Sequence, residues 1–162
     1  GFIKILDKSQ LKYNLHLKNL GPEPLGNGFD FKYFKNYLIN RNRTIKDILM
    51  DQKFVSGLGN IYVNEVLFLS KVKPTKKTYL IKNSEIYKII KNTKKTLKKA
   101  ISLGGSSLRD FSSSDGKKGE FQQYFYVYGR KGDNCLNRNC NKKIIKTIIG
   151  NRATFYCPKC QK

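Results

Sequence analysis

The chain of 162 residues has no tryptophan, one methionine, one histidine and four prolines, and only 11 acidic residues against 33 lysines and arginines. No apolar run approaches the roughly 18 residues of a membrane span. Neither a basic amphipathic tail nor a lipidation motif offers another route to a membrane, so no membrane partner is expected. The opening GFIKIL lacks the charged start and long apolar centre of a secretory signal. The first residue is not Met, as in a processed product or a piece of something longer. Cysteine is scarce too: the four present, Cys135, Cys140, Cys157 and Cys160, all lie near the end of the chain.

The shortage of acids leaves a net charge of +22. A codon bias toward Lys, Asn, Ile, Tyr and Phe explains many lysines. It does not explain missing glutamates, so the balance points to a polyanionic partner, nucleic acid first.

Residues 1–20 alternate weakly and are expected to supply a strand and a connection. GPEPLGNG at 21–28 is a breaker cluster and a boundary. Asp30 is placed to cap a helix with Phe31, Phe34 and Leu38 on one face. Thr44 and Asp47 resemble a capping box ahead of a short helix with Ile45, Ile48 and Leu49 inward. VSGLGN at 55–60 interrupts; Gly57 and Gly59 allow positive φ or close backbone approach, and a helix restarts near Asn60 with Ile61, Val66 and Leu67 apolar. Ser84 is expected to cap a long helix over 84–103, with Ile86, Ile89, Ile90, Leu97 and Ile101 on its apolar side and a solvated lysine face opposite. Residues 104–121 read as a long Gly/Ser-rich loop. FQQYFYVYGRKGDN reads as a strand, and IIKTIIGNRATFY as a hairpin turning at Gly150-Asn151.

The cysteine spacing, C-x4-C-x16-C-x2-C, fits one tetrahedral Zn2+ held by four thiolates from two turns. Four sulfurs leave no open coordination position, so the zinc is structural, stabilising a segment too small for its own core. Two disulfides fit poorly without a secretion signal. His16, far away in sequence, reads as an ordinary histidine. Arg152 sits at or just past the hairpin tip, where a guanidinium suits phosphate. Residue types alone do not choose between that and a solvated turn arginine.

LGPEPL (20–25), IKDILMDQKFVSGLGNIYVNEVLF (45–68), GGSSLRDF (104–111), SDGKKGEFQQYFYVYGRKGDNC (114–135) and NRATFYCPKCQK (151–162) occur in an order that resembles the bacterial formamidopyrimidine-DNA glycosylases. The resemblance covers most of the chain from about residue 20 onward. It implies a mainly α fold with a small β part: a helix–two-turn–helix domain over 21–125 with a lesion-capping loop at 104–121, then a four-cysteine zinc β-hairpin over 126–162. Residues 1–20 would be a linker or strand remnant of an N-terminal β-sandwich domain. The implied activity is base excision repair of oxidised purines by a bifunctional DNA glycosylase and AP lyase, which flips the damaged base out of the duplex because it cannot be reached inside the stack.

Carried onto this chain, the resemblance gives Asn60, with the helix start at Gly59, a phosphate contact beside the lesion. Lys46 would reach a nearby phosphate. Arg152 would hold the phosphates flanking the flipped nucleotide and take part in δ-elimination. Glu65 would order the site as a structural acid. Ser106, Ser107 and Tyr124 would belong to the lesion-capping region. A basic residue often precedes the family's I-K pair by a few positions; of Arg41, Asn42 and Arg43 here, one would supply that DNA contact, with Arg43 and Asn42 the candidates. The implied partner is double-stranded DNA with an oxidised purine or abasic site, bound by a monomer in the bacterial cytoplasm at the nucleoid.

The sequence departs from the family pattern in three ways, one of them the Asn42 that stands between Arg41 and Arg43 ahead of the I-K pair. The family's nucleophile is an N-terminal proline followed by glutamate. Here Gly1 matches the glycine after the family's intercalating Arg-Phe, so the N-terminal domain with its proline, glutamate and catalytic lysine has no counterpart, and this chain alone is expected to grip DNA without cutting it. The first knuckle is C-x4-C where the family usually has C-x2-C. Three rival readings are a stand-alone non-catalytic helix–two-turn–helix and zinc protein, a ribosomal-type RNA-binding protein, and the sister endonuclease VIII family. LGPEPL and the long loop argue against the last.

Overall fold

In the computed structural model, which describes residues 3–106 and 119–162, helices α2 (Phe31–Leu38), α3 (Ile45–Leu49), α4 (Asn60–Leu69) and α5 (Asn83–Ser102) follow a short α1 (Leu15–Lys18). A two-stranded hairpin, β1 (Ile145–Ile149) and β2 (Arg152–Tyr156), closes the chain. Asp30 caps α2 by accepting the Tyr33 N–H at 2.8 Å, and Thr44 caps α3 by accepting the Asp47 N–H at 3.1 Å. Ser84, by contrast, lies inside the first turn of α5. The helix begins earlier than its hydroxyl suggests, where Glu85 reaches back to the Lys82 N–H at 2.9 Å.

Helix α4 is the axis of the fold. NIYVNEVLFL is apolar almost all round, and Val63 through Phe68 are all buried, as expected of a helix with neighbours on every side. It packs on α5, α3 and β2. The main core joins Phe29, Phe34, Ile45, Ile48, Leu49, Phe54, Leu58, Val63, Val66 and Leu67 to Ile86 and Ile89 of α5. Phe54 is ringed by Phe29, Phe34, Tyr33 and Tyr37, and its carbonyl accepts the Tyr33 hydroxyl at 2.8 Å. LGPEPL lies tight against this loop: a Cβ on Gly21 would overlap the Phe54 carbonyl, and Gly21 N–H donates to the Gln52 carbonyl. A second cluster joins Phe68 to Val127, Ile144, Phe155, Cys135 and Cys157, fastening the hairpin to the far end of α4.

Three further sequence expectations differ from this picture. Residues 3–20 form a 3-10 turn at Lys8–Tyr13 and then α1, not a strand. Ile3 and Ile5 are exposed, and among the described residues the hairpin is the only sheet, so no ladder is available for pairing. The stretch after residue 120 is a 3-10 turn, Phe121–Tyr124, followed by irregular backbone. There the N–H groups a strand would use are taken by the Glu65 carboxylate. Ile101 is exposed at the end of α5, while Thr93 and Thr96 are buried in its place. Most of the long loop and Ser107 lie outside the described residues.

Candidate nucleic-acid interface

The hairpin turn is made by Gly150 and Asn151, both with positive φ, and closed by the Ile149–Arg152 pair. Two left-handed residues give a turn whose twist matches the strands. The tip rests on α3, where a Cβ on Gly150 would stand 2.7 Å from Asp47 Oδ1. Arg152 projects from the tip, exposed to solvent.

Behind Arg152 two helices converge on one carbonyl. Lys46 Nζ of α3 donates to the Ala153 carbonyl at 3.2 Å, and Asn60 Nδ2, at the start of α4, donates to the same oxygen at 3.0 Å. Lys46 also donates to Thr154 Oγ1 at 2.6 Å. Asn64, one turn after Asn60, donates to the Asn60 carbonyl at 2.7 Å and accepts the Phe155 N–H at 2.7 Å. The three residues assigned to phosphate contact, Lys46, Asn60 and Arg152, thus meet at one place although they come from three elements. Lys46 is almost wholly buried, its ammonium held on the hairpin. Burial lowers its pKa to about 8; Asp47 opposes that shift and the Arg152 charge adds to it.

Gly59 N-caps α4 with an ordinary φ of −101°, and a Cβ there would meet nothing within 4 Å. The positive φ belongs to Gly57. Nothing in the chain itself therefore requires glycine at 59, and its open face leaves the helix start accessible. Arg43 bridges Asp51 at 2.7 Å and donates to the Asp47 carbonyl at 3.0 Å. Burial works against the Asp51 charge, but Arg43 and the Lys53 N–H outweigh it and hold its pKa below the usual carboxylate value. Arg43, Asp47, Met50, Gln52 and Gly150 line an open depression of about 450 Å³ with Arg152. Arg41 is turned back onto α2, its guanidinium 4.0 Å from the Tyr37 ring centre, and Asn42 is exposed.

Glu65 is buried and accepts three successive N–H groups, from Tyr126, Val127 and Tyr128, at 2.8, 3.0 and 2.9 Å. Burial raises its pKa and those three bonds oppose the rise. It is a brace between α4 and the segment leading to the cysteines. Tyr124 stands apart from the Lys46–Asn60–Arg152 group: Lys99 Nζ sits 3.7 Å over its ring, and it lines a separate small cavity. Ser106 bridges to Glu120, its hydroxyl buried without a partner.

The ligand atoms of the four cysteines lie within 4.8 Å of one another, with Sγ separations of 3.8 Å (Cys135–Cys160) and 3.5 Å (Cys140–Cys157). Tetrahedral coordination with bonds of about 2.3 Å demands sulfur pairs about 3.8 Å apart. None is disulfide-bonded, so the donor set fits a single metal ion, and the longer first knuckle does not prevent convergence. Asn137, inside that knuckle, donates to Cys160 Sγ at 3.0 Å. The reading of the sequence missed Gln161, which is buried and ties the finger to the end of α4: it accepts the Cys157 N–H and donates to the Val72 carbonyl, both at 2.9 Å. It missed Asn64 as well, although its i,i+4 spacing from Asn60 was visible.

Fold and site define a buried-axis helical unit whose helix starts are clasped by a four-cysteine β-hairpin. A profile described as "Formamidopyrimidine-DNA glycosylase H2TH domain" matches residues 20–112. The chain is 40% identical over 162 residues to the formamidopyrimidine-DNA glycosylase of Roseobacter denitrificans, covering 100% of this chain and 57% of that protein. It is 44% identical over 143 residues to that of Rickettsia felis, covering 88% and 51%. Among solved structures, it resembles MutM (Fpg) from Thermus thermophilus with a TM-score of 0.83 and 35% identity, covering 90% of this chain and 55% of that one. Lactococcus lactis Fpg in complex with DNA containing an abasic site gives a TM-score of 0.87 and 39% identity, covering 97% and 57%. The chain belongs to the formamidopyrimidine-DNA glycosylase family and corresponds to the C-terminal part of those proteins. It spans little more than half the length of the relatives it matches. No helix among the described residues is long and apolar enough to cross a membrane.

Proposed function

We propose that this chain is the DNA-gripping part of a base-excision-repair enzyme, a bifunctional DNA glycosylase and AP lyase acting on oxidised purines such as 8-oxoguanine and formamidopyrimidines. The observation that carries this reading is the meeting of Lys46 and Asn60 on the Ala153 carbonyl directly behind exposed Arg152. Solved relatives bound to abasic-site and Fapy-dG DNA support it.

In this reading Arg152 clamps the phosphates flanking the extruded nucleotide. In the complete enzyme it also steadies the phosphate leaving group of δ-elimination. Asn60 and the free N–H groups at the open Gly59 start of α4 bind a neighbouring phosphate. Lys46 holds the hairpin in register and adds positive charge behind Arg152. Arg43 or Asn42 extends the contact on the α3 side. Ser106, Ser107 and Tyr124 belong to the region that covers the damaged base. Residues 21–125 act as the helix–two-turn–helix domain and 126–162 as the finger. Cys135, Cys140, Cys157 and Cys160 hold one structural Zn2+, which supplies rigidity and no reactive position. The protein acts as a monomer in the bacterial cytoplasm, on the nucleoid. By itself the chain binds and does not cut, because no residue in it matches the family's proline nucleophile.

The test is equilibrium binding to matched duplexes with and without a central abasic-site analogue. Tighter binding to the abasic duplex, with affinity falling steeply as salt rises, supports the reading; equal weak binding to both contradicts it.

A further inference from the structure

At the cysteine end of the finger, away from the hairpin tip, lies a second basic concavity of about 530 Å³. Lys71, Arg138, Lys159 and Lys162 line it together with Asn137, Asn139 and the sulfur ligands Cys140 and Cys160, and no aspartate or glutamate is among its lining. The tip depression differs, since Asp47 and Asp51 sit among its arginines. The wall is built, not a loose scatter of side chains. Lys159 Nζ donates to the Asn139 carbonyl at 3.2 Å, tying one knuckle to the other, and the Cys140 N–H donates to the Asn137 carbonyl at 2.9 Å. Lys71 adopts a left-handed φ of 59° after α4, and its carbonyl accepts the Lys162 N–H. Arg138 comes from the extended C-x4-C knuckle itself.

The hairpin sets the separation of the two basic sites. The turn lies beyond Ile149 and Arg152, and the cysteines flank the opposite ends of β1 and β2. Five residues at about 3.3 Å each place the knuckles roughly 16 Å from the tip along the hairpin.

We propose that the concavity is a second DNA-backbone site, which takes a phosphodiester segment of another duplex while the first is held at the tip. The finger would then pass the protein from one DNA segment to another without full release. The proposal rests on the DNA-binding reading above. Its chemistry is shared with free phosphate: lysine and arginine cations and the Asn139 amide, suited to an oxyanion.

The test uses the full chain loaded with Zn2+ and an abasic-analogue duplex carrying a fluorophore. Dissociation of that duplex is timed while unlabelled duplex is raised at constant ionic strength. The proposal expects two duplexes per chain at low salt, by sedimentation, and a dissociation rate that climbs severalfold with competitor concentration. In R138Q/K159Q the rate should become independent of competitor, while the affinity for a single labelled duplex stays within about twofold. R138K should retain the climb. A wild-type rate independent of competitor, with one duplex per chain, overturns the proposal, and that result does not depend on the variants folding. A climb that persists in a zinc-loaded double variant also overturns it. Inorganic phosphate abolishing the climb at matched ionic strength, in a wild type that never binds two duplexes, would assign the concavity to a small anion instead. Failure of the wild type to bind any duplex would contradict the DNA-binding reading itself, a separate outcome.

Discussion

The ammonium of Lys46 donates to the hydroxyl of Thr154 at 2.6 Å, joining α3 to β2 across 108 positions of sequence. The bond is buried, so a charge sits inside the protein where the hairpin meets the helices. This arrangement makes Lys46 sensitive to pH near neutrality. Its folded pKa is about 8 because burial disfavours the charge, whereas an unfolded lysine titrates near 10.5. Below about pH 8 both states hold the proton and the folded protein bears the full cost of burying it. Between that pH and about 10.5 only the unfolded state stays protonated, so this group's contribution to stability rises with pH across the window. DNA binding should move the other way. A phosphate beside Arg152 favours the charged form, so affinity falls as pH rises through about 8. In K46M that pH dependence should flatten while the protein stays folded, since an apolar side chain of similar shape replaces a buried charge. Titrating DNA affinity from neutral pH to mildly alkaline pH in both proteins checks this.

Glu65→Ala should be the most damaging single change to stability. It strips the acceptor from three successive N–H groups at Tyr126, Val127 and Tyr128. At roughly 1 kcal/mol or more for each, the loss is about 3 kcal/mol or greater. Chemical denaturation should register it, with hydrogen exchange rising first at residues 126–128. A loss well below about 1 kcal/mol would remove Glu65 from its bracing role.

Gly59→Ala separates folding from binding. The added methyl group meets nothing in the protein and the backbone there is ordinary. Because alanine is a poorer N-cap than glycine, the variant's melting temperature should fall by only about a few degrees. If a phosphate closes on the start of α4, the same methyl group should weaken DNA binding severalfold. Unchanged affinity would mean that the open space at Gly59 is unused.

Chelation should act locally. The second core cluster includes Cys135 and Cys157 and fastens the hairpin to Phe68, whereas the main core contains no cysteine. Removing the metal, or replacing Cys157 with Ser, should loosen 126–162 and cut DNA affinity while the helical signal by circular dichroism largely persists. Metal analysis should find one zinc per chain, and Co2+ should give the absorption of a tetrahedral thiolate site. Two or more ions per chain, or full unfolding on chelation, would count against this division of labour.

Much of the architecture was legible because local chemistry and long-range packing agreed. Asp30 and Thr44 cap the helices they precede, Gly150-Asn151 makes the predicted turn, and the cysteines converge as their spacing implies. Legibility failed where a tertiary partner overrode a local pattern. The FQQYFYVY stretch has strand composition, but Glu65, some 60 residues earlier, takes its N–H groups. Residues 3–20 alternate weakly, yet alternation without a neighbouring strand specifies nothing. Lys46, Asn60 and Arg152 could be singled out in the sequence, but their convergence could not: only the hairpin's position shows the Lys46 ammonium to be buried behind Arg152.

The central claim is that the exposed arginine on the four-cysteine hairpin is what DNA is held by. The most direct measurement compares wild type with Arg152→Ala on a duplex with a central abasic-site analogue. Arg152 is exposed and its hairpin pairing runs through backbone, so the variant should fold and carry metal as wild type does. Affinity should fall by about 1–3 kcal/mol, roughly 5- to 150-fold, and the preference for the abasic duplex over undamaged DNA should shrink. An unchanged affinity and preference in a folded, metal-loaded variant would contradict the account.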